Sequence, residues 1–303
     1  MTPAGKQQHS AERIGVTAAL AAYIFWGLAP IYFKQILSVP PLEVIAHRVL
    51  WSIPLLAGFL WLRDGPGLWQ RLRLPPRTVG VLLVSGILVA FNWLVFVWAV
   101  MNDRILATSL GYFITPLVSV LLGFVFLHER LTRVQSAGVL LAAAGTFYLG
   151  WFLGTPPWIS LTLALSFGAY GLIRKMLDVG PMIGLLWETL LLALPALVYI
   201  ALLVRRDTLV FAGGDLKIDT LLVLAGLVTV LPLVWFNVAA RNLRLSTVGF
   251  FQYIAPSLTF LLSVFVYGEV FTRGHAVAFS CIWLALAMVS LENVLQARRA
   301  KAR

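Results

Sequence analysis

Residues 107–133 read ATSLGYFITPLVSVLLGFVFLHERLTR, an apolar run that contains one proline and closes in a charged turn. Residues 247–273 read TVGFFQYIAPSLTFLLSVFVYGEVFTR, the same design 140 positions later. Aligned without a gap, Ile114, Pro116, Leu122, Glu129, Thr132 and Arg133 return as Ile254, Pro256, Leu262, Glu269, Thr272 and Arg273. The match extends upstream, where Phe96, Ala99 and Asn102 return as Phe236, Ala239 and Asn242. A repeat of this period in a chain of 303 residues predicts two halves built alike.

Composition sets the class of those halves. Hydrophobic residues make up 60% of the chain and charged ones 12%, about half the charged share of a soluble domain. Apolar runs of about 20 residues, each long enough to cross a hydrocarbon core of roughly 30 Å, recur along the whole length. A soluble fold of this size needs solvated helix faces, and the charges to make them are missing. The expectation is an all-α polytopic membrane protein in contact with a lipid bilayer. The formal charge of +11 does not indicate nucleic acid, because Lys and Arg gather in short loops and the tail. Cys281 is the single cysteine, and His9, His47, His128 and His275 stand apart without metal-ligand spacing. Phosphate-cradling glycine loops and nucleophile elbows are absent from the sequence. It therefore predicts no cofactor, no metal and no enzyme.

Ten spans are expected. The first five run over about Ile14–Leu37, Val44–Leu62, Val79–Met101, Leu106–Leu127 and Val134–Phe152, and the turn from Gly154 to Pro157 follows. The second five run over about Trp158–Ile173, Met182–Val204, Thr220–Ala240, Thr247–Tyr267 and His275–Leu295. The chain thus divides into a tail (1–13), a first five-helix repeat (14–153), a second (154–295) and a basic tail (296–303). Ten spans put both termini on one side. With that side cytoplasmic, sixteen of the 23 Lys and Arg residues fall inside and six outside, with Arg48 within a span, a positive-inside bias. Five spans per half is an odd number, so the second half enters the membrane inverted. Inverted repeats usually work by alternating access around a midplane site.

The segments NWLVFVWAV (92–100), ATSLGYFITPLVSVLLG (107–123), HERLTR (128–133) and LALSFGAYGLIRK (163–175) resemble the RarD-type branch of the EamA drug/metabolite transporters. The similarity spans nearly the whole chain, and LGYFI followed by P and L is distinctive of that branch. The resemblance implies a ten-helix inner-membrane transporter, with four helices of each half around a central cavity and the fifth peripheral. The branch takes its name from chloramphenicol sensitivity.

Charges inside hydrocarbon are the first candidates for chemistry, because each costs about 2.5–3.5 kcal/mol on insertion scales. Arg48 and Glu188 lie 140 residues apart, so the repeat sets opposite charges at equivalent places. Arg48 either snorkels or lines the cavity. Glu188 is either a protonated structural acid or the cavity's carboxylate, and the second reading is favoured. Tyr112, Pro116, Ser119 and Gly123 share one helical face, and Gln252, Pro256, Thr259 and Ser263 repeat it. The two prolines shape their helices by leaving a carbonyl open, and the small residues suit close packing or a cavity wall equally. Asn92 and Asn237 are buried amides that need partners. Asn92 is followed by Trp93 and Phe96, a setting for a flat, partly polar solute.

Glu129 with Arg133, and Glu269 with Arg273, are i,i+4 pairs in the favourable order. They are read as structural turns, with gating as the alternative. Thr132 and Gln135 fit a capping box. Together these features predict a secondary transporter of small organic solutes, exporting metabolites or drug-like compounds by alternating access. Glu188 would carry any proton coupling. A passive uniporter or channel, or a non-transporting scaffold, is the alternative, and a homodimer remains open.

Overall fold

The computed structural model describes residues 3–128, 131–154, 156–242 and 251–301, with the side chains of 3–12, 120, 237, 240–241 and 293–301 outside that description. Among the described residues the chain is helical throughout, without a strand.

The first half comprises α1 (Pro3–Phe33), α2 (Pro41–Asp64), the short α3 (Leu68–Arg71), α4 (Pro76–Met101), α5 (Ile105–Leu127) and α6 (Arg133–Leu153). The second comprises α7 (Trp158–Met176), α8 (Pro181–Arg205), α9 (Leu216–Asn242), α10 (Ile254–Leu261) and α11 (Arg273–Lys301). A π-helical turn over Leu262–Val266 continues α10.

Local signals fix many of the ends. Proline opens α2, α4 and α8, where its missing N–H would be unpaired in any case. Thr132 accepts from the Gln135 amide while the Gln135 side chain returns to the Thr132 N–H, so the expected capping box opens α6. Gly154, at φ +67°, closes the same helix in the left-handed region that glycine adopts without strain.

Among the described residues, eight of the helices are long and apolar enough to cross a membrane. The other two expected spans differ from them. α7 is 19 residues long, but Ser160, Thr162, Ser166, Tyr170 and Arg174 make it more polar. α10 with its π turn is a shorter apolar segment, Ile254–Val266, and the start of the span expected from Thr247 lies outside the described residues. Large apolar side chains such as Leu62, Leu140, Phe147, Trp151, Leu194 and Phe265 point outward. Lipid accepts such surface, since burying it against other helices gains little there.

The packing is between helices distant in sequence. α1 lies against α9 and α10, α2 against α8 and α9, and α4 against α7 and α8. α5 lies against α7 and α10, and α6 packs on α11. Missing Cβ atoms permit the closest approaches. A Cβ on Gly226 of α9 would stand 2.5 Å from the Trp51 carbonyl carbon on α2. On Gly145 of α6 it would stand 2.7 Å from Cys281 Cβ and 3.3 Å from the Ala278 oxygen of α11, and Gly138 meets Val289 and Ala285 in the same way.

Candidate functional site

Two buried charges organise the interior, and each is met by a helix from the other half. Arg48, on α2, is 8% exposed. Its Nε donates to Thr229 Oγ1 on α9 at 3.0 Å. The guanidinium lies 4.6 Å from the Trp93 ring centroid and 5.4 Å from that of Phe33. Aromatic faces attract a desolvated cation, and Arg48 forms no ion pair among the described residues.

Glu188, on α8, is 1% exposed. Its Oε1 accepts from Ser85 Oγ on α4 at 2.6 Å, and its Oε2 from Tyr170 Oη on α7 at 3.3 Å. Arg174 Nη1 stands 3.7 Å from Oε1. Gly86, the neighbour of Ser85, lets α4 close on α8, since a Cβ there would meet Glu188 Cβ at 3.4 Å.

Between these charges, Asn92 is fully buried. Its Nδ2 donates to the Leu163 carbonyl at 3.0 Å and to Ser166 Oγ at 2.9 Å, and its Oδ1 accepts from Tyr112 Oη at 3.3 Å. Tyr112 also packs on Phe96 and Phe167. The amide is therefore met from both ends by protein, and what it holds is α4 to α7. Trp93, beside it, gives its face to Arg48.

The proline segments divide. Pro116 lies within the continuous α5. Pro256 is buried in α10, and its carbonyl accepts from Ser109 Oγ of α5 at 2.8 Å. Gln252 does not share a helical face with it: Gln252 sits in the turn that precedes α10, and Ser263 falls in the π turn. The stripe expected on that span is thus limited to Pro256 and Thr259 within α10. The side chain of Asn237 lies outside the described residues, although its backbone belongs to α9.

Glu269 is placed differently from the expectation. Among the described residues it makes no ion pair with Arg273, which is exposed at the start of α11. It accepts instead from the Ile105 N–H at 2.6 Å and the Leu106 N–H at 2.8 Å, capping α5. Those are orphan donors of a helix N-terminus, and two backbone bonds outweigh one exposed ion pair. Burial pushes the Glu269 carboxyl above its usual range, and the two amides pull it partly back. Lys34, at the end of α1, pairs with Asp103 in the turn before α5. The corresponding Glu129 lies outside the described residues, and Arg133 is exposed at the start of α6.

The interior holds groups that the sequence reading passed over. Ser85, Thr229, Tyr170 and Arg174 are the partners of the two charges. Glu43 is fully buried at the start of α2, where Oε1 accepts from the Val210 and Phe211 amides and Oε2 has no partner among the described residues. Gly86 and Gly226 stand 140 residues apart, so the repeat offset was a usable signal for the contacts beside Ser85 and Thr229. An apolar groove of about 420 Å³ between Pro40, Leu94, Trp98 and Trp158 shares none of these side chains.

The chain matches the EamA-like transporter family twice, over residues 13–151 and again over 157–291. It belongs to the EamA-like transporter family. Within the EamA family its relatives are of the RarD type. The protein RarD of Salmonella typhi is 45% identical over 287 residues, covering 95% of this chain and 98% of that protein. An uncharacterized transporter of Vibrio cholerae is 44% identical over 308 residues, covering 99% of each. The chloramphenicol-sensitive protein RarD of Pseudomonas aeruginosa is 31% identical over 294 residues, covering 94% of this chain and 96% of that protein. A solved crystal structure shares this fold, with a TM-score of 0.59 at 21% identity over 94% of this chain and 98% of that one. The protein is a multi-pass membrane transporter of the EamA family.

Proposed function

We propose that the protein is a secondary transporter that exports small organic solutes across the inner membrane by alternating access. In this reading it has ten spans in two inverted five-helix repeats, residues 14–153 and 154–295, with both termini cytoplasmic. The carrying observation is that Arg48 and Glu188, equivalent in the repeat, each bond a helix of the opposite half. A substrate site at the interface of inverted repeats is the usual arrangement of such transporters.

The packing supports the same reading. Advancing each partner by one half-chain turns the α1–α9 pair into α7–α4, the α2–α9 pair into α8–α4, and the α1–α10 pair into α7–α5. Gly27 meets Leu258, and Gly168 meets Val118. In this frame Arg48 receives an anionic or polar group toward the outer side. Glu188 receives a proton or a cationic group nearer the cytoplasm. Lys34, Asp103 and Glu269 then lie at the outer end, where Glu269 is structural.

Metabolite profiling of cells lacking or overproducing the protein, followed by flux of the identified solutes in proteoliposomes, tests the reading. Accumulation against a gradient that depends on pH is expected. Equilibration that ignores pH would instead indicate a passive uniporter.

A further inference from the structure

Arg174 reaches back toward Glu188. It is the last-turn cation of α7, yet its side chain turns back under the start of α8, where it is 12% exposed. Its Nη2 donates to the carbonyls of Val179, Gly180 and Pro181 at 3.5 Å, and Nη1 is buried without a hydrogen-bond partner among the described residues. The three carbonyls take up Nη2, and the electronegative end of α7 favours a cation, but neither accounts for Nη1. The attraction that remains is to the Glu188 carboxylate, 3.7 Å from Nη1.

The space it fills is made by one residue. A Cβ on Gly184 would stand 1.8 Å from Arg174 Nη1 and 2.3 Å from Nη2. Gly184 lies one turn before Glu188 on α8, so the helix lacks a side chain where the guanidinium must pass to reach the carboxylate.

We infer that Arg174 is the built-in counter-ion of Glu188, admitted by Gly184, and that a proton arriving on Glu188 displaces it. The inference rests on the reading of Glu188 as the transporter's proton site. With the carboxylate ionised, Ser85, Tyr170 and Arg174 all serve it. When a proton from water joins a carboxylate oxygen, the charge that holds Arg174 disappears, and the guanidinium leaves the start of α8 for the aqueous edge beside Lys175. Among the described residues the other surroundings of Glu188 add no competing charge, and Arg71 of α3, which reaches the Gly180 turn, is paired with Asp64. α4 contributes Ser85, and α7 contributes Tyr170 and Arg174. Leu56 and Leu60 of α2 and Val230 of α9 pack around α8 as apolar groups, while α2's Arg48 is directed at Thr229 and Trp93.

The test is an infrared pH titration of the full-length protein in lipid nanodiscs, following the carboxyl band that Glu188→Gln removes. Removing a cation within about 4–6 Å moves a carboxyl midpoint upward by about one to three pH units. That rise is expected in both Arg174→Gln and Gly184→Ala, the second of which leaves both charged side chains intact. An unchanged midpoint in either folded variant, or the absence of any band assigned to Glu188, would overturn the inference. Proteoliposome flux separates it from the underlying reading. A wild-type flux indifferent to pH, beside the expected infrared shift, would remove proton coupling and leave the counter-ion in place.

Discussion

Arg48 and Glu188 are equivalent in the repeat and opposite in charge, and they do not pair. Arg48 is bonded to Thr229 and stacked on Trp93, while Glu188 is bonded to Ser85 and Tyr170 beside Arg174. Each charge has its own surroundings, and the two surroundings are chemically different.

The double exchange Arg48→Glu with Glu188→Arg should therefore fail to restore transport. A glutamate at position 48 would face aromatic rings, whose faces repel anions, and an arginine at 188 would face Arg174. Flux of the profiled solutes in proteoliposomes is the measurement, and recovery in the double variant would mean that the charges act as a direct pair.

Arg48→Gln should lower transport at least about tenfold, as expected for a desolvated charge that contacts a ligand. Arg48→Lys should recover little of it, because an ammonium offers neither the planar face that Trp93 and Phe33 hold nor a forked set of donors. Membrane-inserted yield should stay near wild type in both. Equal flux in the Lys variant would reduce Arg48 to a point charge.

The two equivalent glycines should respond unequally to alanine. At Gly226 the new Cβ would meet Trp51 backbone at 2.5 Å, which cannot give way, whereas at Gly86 its nearest neighbour is at 3.4 Å. Gly226→Ala should cost roughly 1–3 kcal/mol of stability, the range for an overpacked core, and Gly86→Ala much less. Thermal unfolding in detergent distinguishes them.

Glu269→Ala leaves the Ile105 and Leu106 amides without their acceptor and should cost about 1–3 kcal/mol. Folded yield should fall while substrate selectivity is unchanged. Normal yield with abolished flux would make Glu269 a gate.

Reporter fusions give the topology. Fusions at either terminus should read cytoplasmic, and one after Gly154 external. A cytoplasmic reading after Gly154 would remove the inverted-repeat proposal.

The fold was legible in the sequence to the extent that it depends on order along the chain. Pro116 and Pro256, and Glu129 and Glu269, recur at one offset, so the two halves could be read off the chain. Arg48 and Glu188 were visible because charge in hydrocarbon is costly. Their partners were not, since hydroxyls such as those of Ser85 and Thr229 are frequent on membrane helices, and helix rotation decides which of them meets a charge. The i,i+4 rule assigned Glu269 to Arg273, but the unfilled amides of α5 were the stronger claim. Gln252 was assigned by periodicity to a helix that begins two residues later.

The seam between α6 and α11 matches itself across the repeat. Gly138 meets Ala285 and Gly145 meets Ala278. The offset of 140 equates position 138 with 278 and 145 with 285, so these two contacts are one contact counted from either side. A self-complementary patch of this kind is an isologous interface, the signature of a two-fold homodimer. The contacts that hold this seam do not run through the connector between Leu153 and Trp158. The seam is thus built like a contact between two like subunits, and cutting the connector should leave it closed.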